Sequence, residues 1–145
     1  MKKQPQKGKI ILTTSEVLGM HNGLINYTIG QRKGLGISYK EPLYVIKLDI
    51  DKNQVIVGTE KELYNNELEA INLNWIIDVE NRLEEGIECF AKIRYRAKEA
   101  RAKVISKNNK IKVIFQEPQR AITPGQSVVF YDEEGIVLGG GKIKE

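Results

Sequence analysis

Reactive side chains are few in this sequence, and none stands in a setting that indicates catalysis. The only histidine is His21 and the only cysteine is Cys89. A single histidine with no Ser or Cys suggestively placed supports neither a catalytic triad nor a metal site. Cys89 falls on the apolar face of a predicted strand, where a buried structural thiol is favoured over a nucleophile. We therefore expect no catalytic residue and no metal ligands in this chain.

A glycine-rich loop offers a different kind of chemistry. Gly30, Gly34 and Gly36 allow backbone conformations closed to other residues, and Arg32 and Lys33 lie between them. Such a loop could bring backbone amides and cations close to a phosphate. It matches neither the P-loop pattern nor Gly-x-Gly-x-x-Gly followed by a helix, so a structural turn is favoured over a phosphate cradle. Arg32 and Lys33 are therefore secondary candidates for contact with a polyanion.

The strongest concentration of charge is basic and lies in the second half of the chain. Residues 91–120 carry ten Lys or Arg against two Glu, a net charge of +8, although the whole chain carries only +4. Alternation in two adjacent predicted strands places Arg94, Arg96, Arg101 and Lys103 on one exposed face. Guanidinium groups make forked contacts to phosphate and stack on bases. A polyanion-binding face and a solvated basic surface without a partner explain this charge equally well.

Two further features, Tyr95 and the segment around Pro124-Gly125, could have a structural role as well as a binding role. Alternation places Tyr95 on the apolar face of its strand, so core packing is favoured over stacking on a base. Pro124-Gly125 suits the two central positions of a type II turn. That turn does not by itself require Arg120 before it or Gln126 after it, and both side chains are left for a binding role.

The elements that must position these residues are predicted to be strands. Alternation and β-branched residues predict strands at 43–49, 54–58, 87–96, 101–105, 110–115, 127–131 and 135–143. A polar turn at 51–53 predicts a hairpin between the first two. The only helical pattern is short, at 60–70, and three glycines at 139–141 predict a bulge or a close approach of another backbone. The fold class is therefore all-β, typical of barrels or sandwiches.

Length and composition set the expected organisation and location. The 145 residues suffice for two small domains, and we expect them at residues 1–70 and 71–145. The join lies in an acidic stretch, residues 60–88, where nine carboxylates face two cations. No apolar run approaches the roughly 18–20 residues that span a bilayer, which predicts no membrane association. The apolar stretch Ile10–Leu12, which follows the basic segment Met1–Lys9, is far too short for the core of a signal peptide, so a cytoplasmic location is the default.

Several segments, in order along the chain, resemble one family. Those that look like the middle domain of the tRNA-specific 2-thiouridylases are His21-x-Gly23, Tyr27-Thr-Ile-Gly-Gln-Arg-Lys-Gly-Leu-Gly36, Pro42-Leu-Tyr-Val45 and Val57-Gly58. Those similar to the last domain of that family are Asn74–Ile76, Lys92–Arg96, Glu117–Arg120, Thr123–Gln126, Val129–Tyr131 and Leu138–Gly141. Their joint order and spacing carry the resemblance over nearly the whole chain, from about His21 to Ile143.

The resemblance implies a small central β domain followed by a small antiparallel β-barrel. In this family the full enzyme activates the wobble uridine of certain tRNAs with ATP and delivers persulfide sulfur to make 2-thiouridine. It is an ATP-dependent tRNA sulfurtransferase, formerly described as a tRNA methyltransferase, whose chemistry sits in an N-terminal ATP-pyrophosphatase-type domain. This sequence shows no counterpart of that domain. ATP and Mg²⁺ are therefore expected there, no cofactor is expected here, and this chain alone is not expected to be catalytic.

The resemblance also implies partners and contacts. The expected partners are tRNA, the N-terminal catalytic domain, and a sulfur-relay protein or cysteine desulfurase that serves the parent enzyme. The family's tRNA contacts carry over to Arg94, Tyr95 and Gln126. The charge pattern adds four candidate RNA-binding residues: Arg96, Arg101, Lys103 and Arg120. The alternative is a structural or protein-interaction module that braces the catalytic domain without touching RNA.

Overall fold

The computed structural model describes residues 6–79, 81–94 and 96–144, and strands dominate it. The chain divides into two compact units, residues 1–64 and 65–145. In order, the strands are β1 (Gly8–Leu12), β2 (Val17–His21), β3 (Tyr44–Asp49), β4 (Gln54–Gly58), β5 (Tyr64–Trp75), β6 (Ile87–Lys92), β7 (Ala100–Lys107), β8 (Lys110–Arg120), β9 (Ser127–Tyr131) and β10 (Val137–Ile143). The helical segments in this part of the chain are 3-10 turns at Leu24–Asn26 and Glu60–Leu63 and the single turn α1 (Arg82–Glu85). None of the described helices is long and apolar enough to cross a membrane.

The first unit is a four-stranded sheet in the order β2-β1-β4-β3. β1 runs parallel to β4, and the other two pairings are antiparallel. The β3–β4 pairing is the predicted hairpin: Asn53 has a φ of 53° in its turn, and the Asp49 carboxylate accepts a hydrogen bond from the Lys52 N–H at 3.1 Å. Alternation along the strands buries one face of the sheet, including Ile10 and Val55.

The second unit is a closed barrel of six antiparallel strands in the order β10-β5-β8-β7-β6-β9. The expected all-β chain, with a small β domain followed by a small antiparallel barrel, is confirmed. Inward-facing residues fill the interior, and Val104, Val113, Val128 and Phe130 are 0% exposed. Because the barrel is closed, each of its described strands has a neighbour on both sides. The barrel is therefore a rigid support for its outward-facing side chains and for the loops at its two ends.

The segment 60–70 is not a helix, contrary to the weak pattern in the sequence. Glu60–Leu63 forms one 3-10 turn, and β5 begins at Tyr64. In β5, Leu68 and Ala70 are buried with a period of two, and β8 and β10 pair with the strand on either side. Pairing on both sides outweighs a weak local helix preference. The expected division at Ala70 falls within this strand, whereas the first compact unit ends at Tyr64.

β6 ends at Lys92, earlier than the alternation predicted. Ile93 keeps the alternation and is 5% exposed, but the chain turns next, where the Ala97 N–H donates a hydrogen bond to the Arg94 carbonyl at 3.0 Å. The last residue of β6 in register with another strand is Lys92, which lies opposite Val129. The prediction that Arg94 lies on a strand was therefore wrong, because the alternation continues past the point where pairing stops.

The three consecutive glycines of β10 lie between β5 and β9. A Cβ atom added at Gly139, Gly140 or Gly141 would lie 2.7 to 2.9 Å from a backbone carbonyl oxygen of a neighbouring strand. The register with β5 also shifts between Gly140 and Lys142, which marks a bulge. Both parts of the prediction for this segment, a bulge and a close approach of another backbone, are confirmed.

Candidate nucleic-acid interface

Cationic residues gather at one end of the barrel. β6 ends beside the start of β9, since Lys92 lies opposite Val129, and β7 starts at Ala100 opposite Ala91 of β6. The loop between β6 and β7, the end of β8 and the turn before β9 therefore lie at the same end. We call this surface the arginine rim, and its residues are Arg94, Arg96, Arg101, Arg120 and Gln126.

Arg94 is tied to the end of β8. Its guanidinium donates a hydrogen bond to the backbone carbonyl oxygen of Arg120, the last residue of that strand. Arg94 is exposed and Arg120 is half-buried. A guanidinium has five N–H donors, so this bond leaves most of the donors of Arg94 for a ligand. It also restricts the side chain before binding, which lowers the entropy lost when an anion is bound.

Three arginines of the rim have no acidic partner in the part of the chain that the structure describes. Among the described residues, no carboxylate lies within ion-pair distance of Arg94, Arg96 or Arg101. Each of the three side chains is exposed. A cluster of like charges without counter-charges is unfavourable by itself and is relieved by a bound anion. The rim therefore suits a polyanion.

Arg101 lies against an aromatic surface on the outside of the barrel. Its guanidinium carbon is 5.0 Å from the centre of the Phe90 ring. Phe90 pairs in register with Arg101 on one side and with Tyr131 on the other. Two aromatic residues and a cation therefore lie side by side on the outer wall. Sequence reasoning missed Phe90 and Tyr131, and the available signal was a phenylalanine on the otherwise charged face of β6.

Lys103 lies on the same outer face of β7 but further from the rim. It is exposed and pairs in register with Glu88 of β6. A Cβ atom added at Gly86 would lie 2.2 Å from the Lys103 Cε atom, so the lysine chain runs past the backbone that precedes β6. The structure thus brings Arg101 together with Arg94 and Arg96 more closely than it does Lys103.

Gln126 sits on a turn whose backbone is fixed. Its N–H donates a hydrogen bond to the Thr123 carbonyl at 3.3 Å, and Gly125 has a φ of 86°, as a type II turn requires. The predicted Pro124-Gly125 turn is confirmed. The Gln126 carbonyl accepts a hydrogen bond from the Ile143 N–H at 2.9 Å, and the Gln126 side chain is exposed. A carboxamide that both donates and accepts is thereby presented beside the arginines.

Cations outside the rim are paired with carboxylates of β5. The Lys112 Nζ atom is 3.1 Å from a Glu67 oxygen, and those of Lys110 and Lys144 are 3.8 and 2.9 Å from oxygens of Glu69. The hydrogen bond from Lys144 holds the pKa of Glu69 below its ordinary value. Part of the acidic stretch therefore faces part of the basic one, whereas Arg94, Arg96 and Arg101 have no such partner among the described residues.

His21 and Cys89 have structural roles. His21 is 1% exposed; its Nε2 lies 2.8 Å from the Asn53 carbonyl oxygen, and its Nδ1 accepts a hydrogen bond from the Gly23 N–H at 3.0 Å. Cys89 lies in the barrel core, where burial raises the pKa of its thiol to about 11. Within the described ranges, no group of three or more His, Cys, Asp or Glu could hold a metal ion.

Three sequence candidates remain: Tyr95, Arg32 and Lys33. Tyr95 is outside the residues that the structure describes. Arg32 and Lys33 are exposed in the glycine-rich loop of the first unit. The side chain of Gln31 fixes this loop, since it accepts a hydrogen bond from the Thr28 N–H at 3.0 Å and donates one to the Lys33 carbonyl at 2.9 Å.

Each unit matches a known domain family. Residues 65–143 match the family described as "Aminomethyltransferase beta-barrel domain". Residues 2–59 match the family described as "tRNA methyl transferase PRC-barrel domain". The chain is therefore of the class in which a PRC-barrel domain precedes an aminomethyltransferase-type β-barrel.

Curated relatives narrow this class to one family. The tRNA-specific 2-thiouridylase MnmA of Halothermothrix orenii is 53% identical over 140 residues, which are 95% of this chain and 38% of the relative. That of Acetivibrio thermocellus is 50% identical over 98% of this chain and 39% of the relative. The tRNA-specific 2-thiouridylase MnmA 1 of Clostridium tetani is 51% identical over 99% of this chain and 39% of the relative. The chain belongs to the tRNA-specific 2-thiouridylase family, as the resemblance predicted, and spans 38 to 39% of the length of these relatives.

Proposed function

We propose that this chain binds tRNA at the arginine rim and positions it for 2-thiolation of the wobble uridine, without performing chemistry itself. The chemistry would belong to a catalytic domain of the family's kind. That domain would bind ATP and Mg²⁺ and receive sulfur from a sulfur-relay protein or a cysteine desulfurase. We propose the cytoplasm as the compartment in which this assembly acts on tRNA.

One observation carries the proposal. Arg94, Arg96 and Arg101 lie at one end of the barrel without a carboxylate partner among the described residues, whereas Lys110 and Lys112 on the barrel wall are paired with acids. A surface that served only solubility would have no reason to separate its cations in this way. The separation fits a polyanion that approaches the rim.

The rim residues suit distinct parts of an RNA. Arginine forks bind phosphate oxygens through two parallel hydrogen bonds, and such contacts set the position of a nucleic acid without reading its sequence. Phe90 and Tyr131 offer aromatic surface beside Arg101 for an unstacked base. The Gln126 carboxamide can pair with a ribose hydroxyl or a base edge. Tyr95, which the resemblance implicates, would add a further contact.

A second candidate function is an interaction module that braces the catalytic domain. Ile76 and Ile136 are 72% and 57% exposed where β5 ends and β10 begins, at the end of the barrel opposite the rim. Glu133 and Glu134 lie in the same β9–β10 turn as Ile136 and are exposed. Exposed apolar side chains flanked by acidic residues are typical of a surface that contacts protein rather than RNA. Salt-insensitive binding to the separate catalytic domain, without affinity for tRNA, would favour this function over the first.

The test of the first function removes charge from one end of the barrel at a time. A variant with Arg94→Gln and Arg96→Gln should bind unmodified tRNA at least about tenfold more weakly, because each charge-assisted contact contributes roughly 1.5–3 kcal/mol. The matched control, Lys107→Gln with Lys110→Gln, changes the net charge equally at the other end and should weaken binding less than about twofold. An equal loss of tRNA affinity in the two variants would contradict the proposal, because it would show that only the net charge of the chain attracts the RNA.

A further inference from the structure

A cavity of about 260 Å³ opens beside the glycine-rich loop of the first unit. Its lining combines a cation, an anion, a phenol ring and apolar side chains, and the residues used below are Arg32, Leu35, Gly36, Tyr39 and Glu41. The volume is at the small end for ligand sites, which suits one planar heterocycle rather than a whole cofactor.

Two oppositely charged side chains, Arg32 and Glu41, line this cavity and do not form an ion pair with each other. No ion pair or hydrogen bond within the described part of the chain involves the guanidinium of Arg32 or the carboxylate of Glu41. Both residues are exposed, so each keeps its full hydrogen-bonding capacity. A guanidinium and a carboxylate that share a cavity but do not pair leave space for a group that bonds to both. Such a group must have acceptors on one edge and donors on another.

Local contacts hold the wall that carries Arg32 in one backbone conformation. Gly34 and Gly36 have φ values of 77° and 66°, which favour glycine, and Leu35 between them is 7% exposed in the core of the sheet. A Cβ atom at Gly36 would meet nothing within 4 Å, so this glycine is needed for its backbone conformation rather than for space. Buried Leu35 and the Gln31 hydrogen bonds hold the loop in place. Preorganisation of this kind lowers the entropic cost of binding.

We propose that this cavity binds a guanine base. Guanine offers the O6 and N7 acceptors, which match the fork of Arg32, and the N1–H and N2–H₂ donors, which match the carboxylate of Glu41. The ring of Tyr39 is 38% exposed and has the Lys40 Nζ atom 5.9 Å from its centre, and it supplies an aromatic surface on which the base can stack. Adenine presents a donor beside its N7 and repels the arginine fork, and uracil and cytosine lack N7. The site is built from residues of the first unit alone, and its proposal does not depend on the tRNA proposal.

The test titrates the full chain with nucleoside monophosphates while the amide signals of Gly34 and Gly36 are followed by NMR. GMP should shift these signals and bind at least about tenfold more tightly than AMP. Glu41→Gln and Arg32→Gln should each weaken GMP at least about fivefold. The control Lys47→Gln removes one positive charge from an exposed residue of the same unit that does not line the cavity, and it should leave the GMP affinity unchanged. Equal affinities for GMP and AMP, or full GMP affinity in Glu41→Gln, would overturn the proposal.

A second arm identifies the source of the base. A short RNA with one unpaired guanosine is compared with GMP and with the same RNA carrying adenosine at that position. Tighter binding of the guanosine RNA assigns the site to an RNA base, and equal or tighter binding of GMP assigns it to a free guanine nucleotide; both results support a guanine site. Absence of binding by GMP and by the guanosine RNA overturns it.

Discussion

The guanidinium of Arg94 donates a hydrogen bond to the backbone carbonyl of Arg120, which joins the β6–β7 loop to the end of β8. The two residues are distant in sequence and meet because β7 lies between β6 and β8 in the barrel. A carbonyl acceptor orients a guanidinium without cancelling its charge, whereas a carboxylate would cancel it. The barrel therefore fixes the direction of Arg94 and leaves its charge for a ligand.

Arg94 should matter for binding and not for folding. Arg94→Gln is expected to lower tRNA affinity several-fold, and Arg94→Lys should restore only part of it, because lysine keeps the charge but loses the fork. The free energy of unfolding should change by no more than about 0.5 kcal/mol, as is usual for exposed positions. Anisotropy titrations with labelled tRNA and urea unfolding followed by Trp75 fluorescence give the two quantities. A loss of stability as large as the loss of binding energy would indicate a structural role instead.

The variants Arg101→Gln and Lys112→Gln have the same net charge, so their tRNA affinities can be compared directly. Arg101→Gln should reduce tRNA affinity more than Lys112→Gln, since the Lys112 Nζ atom is already 3.1 Å from a Glu67 oxygen. Each substitution removes one positive charge, so the difference between them reports on contact rather than on long-range attraction. Parallel titrations at one fixed salt concentration measure it. An identical loss in both variants would remove Arg101 from the interface.

His21 should be a stability residue of the first unit. Its Nε2 is 2.8 Å from the Asn53 carbonyl and its Nδ1 accepts from the Gly23 N–H at 3.0 Å. His21→Ala leaves both backbone groups without a partner in a buried site, which should cost about 2–4 kcal/mol. Urea unfolding monitored by NMR signals of the first sheet measures this cost. The exposed neighbour is the control, and Asn22→Ala should change stability by less than about 0.5 kcal/mol.

Cys89 should make the barrel sensitive to alkaline pH. Burial raises the pKa of its thiol to about 11 from an ordinary value of 9.0, so the folded state holds this proton more tightly than the unfolded chain does. The resulting stability is fully present below the unfolded pKa and is lost as the pH rises from about 9 through 11, with a slope of at most about 1.4 kcal/mol per pH unit. Denaturant midpoints of the wild type and Cys89→Ala across this range isolate the effect. Parallel pH profiles for the two proteins would show that the thiol contributes nothing.

The all-β class could be predicted from the sequence because the alternation of a strand is local, whereas the choice of a barrel over a sandwich came from the family resemblance. β1 could not be predicted, because its pairing with β4 is a contact between distant segments that no local pattern reveals. The prediction of a short helix at residues 60–70 was wrong for the same reason. Pairing with β8 and β10, which are distant in sequence, makes β5 a strand.

The sequence predicted which region of the chain carries the positive charge of the candidate site, but it did not predict the contacts that its side chains make. The excess of arginine and lysine marked the half of the chain that forms the arginine rim, but the pairing of Lys112 with Glu67 depends on β5 lying beside β8. The contact between Arg101 and Phe90 depends on the register of β6 and β7, which side-chain alternation alone leaves open. The hydrogen bond from Arg94 to Arg120 depends on β6 ending before the pattern does.

The salt dependence of tRNA binding tests the central claim most directly. The affinity of the full chain is measured at several salt concentrations for the wild type and for a variant with Arg94→Gln, Arg96→Gln and Arg101→Gln. Each phosphate contact contributes roughly 0.7 to 0.9 to the slope of log affinity against log salt, so the variant should lose about 2 to 3 from that slope. Equal slopes for the two proteins would contradict the claim that these arginines hold RNA phosphates.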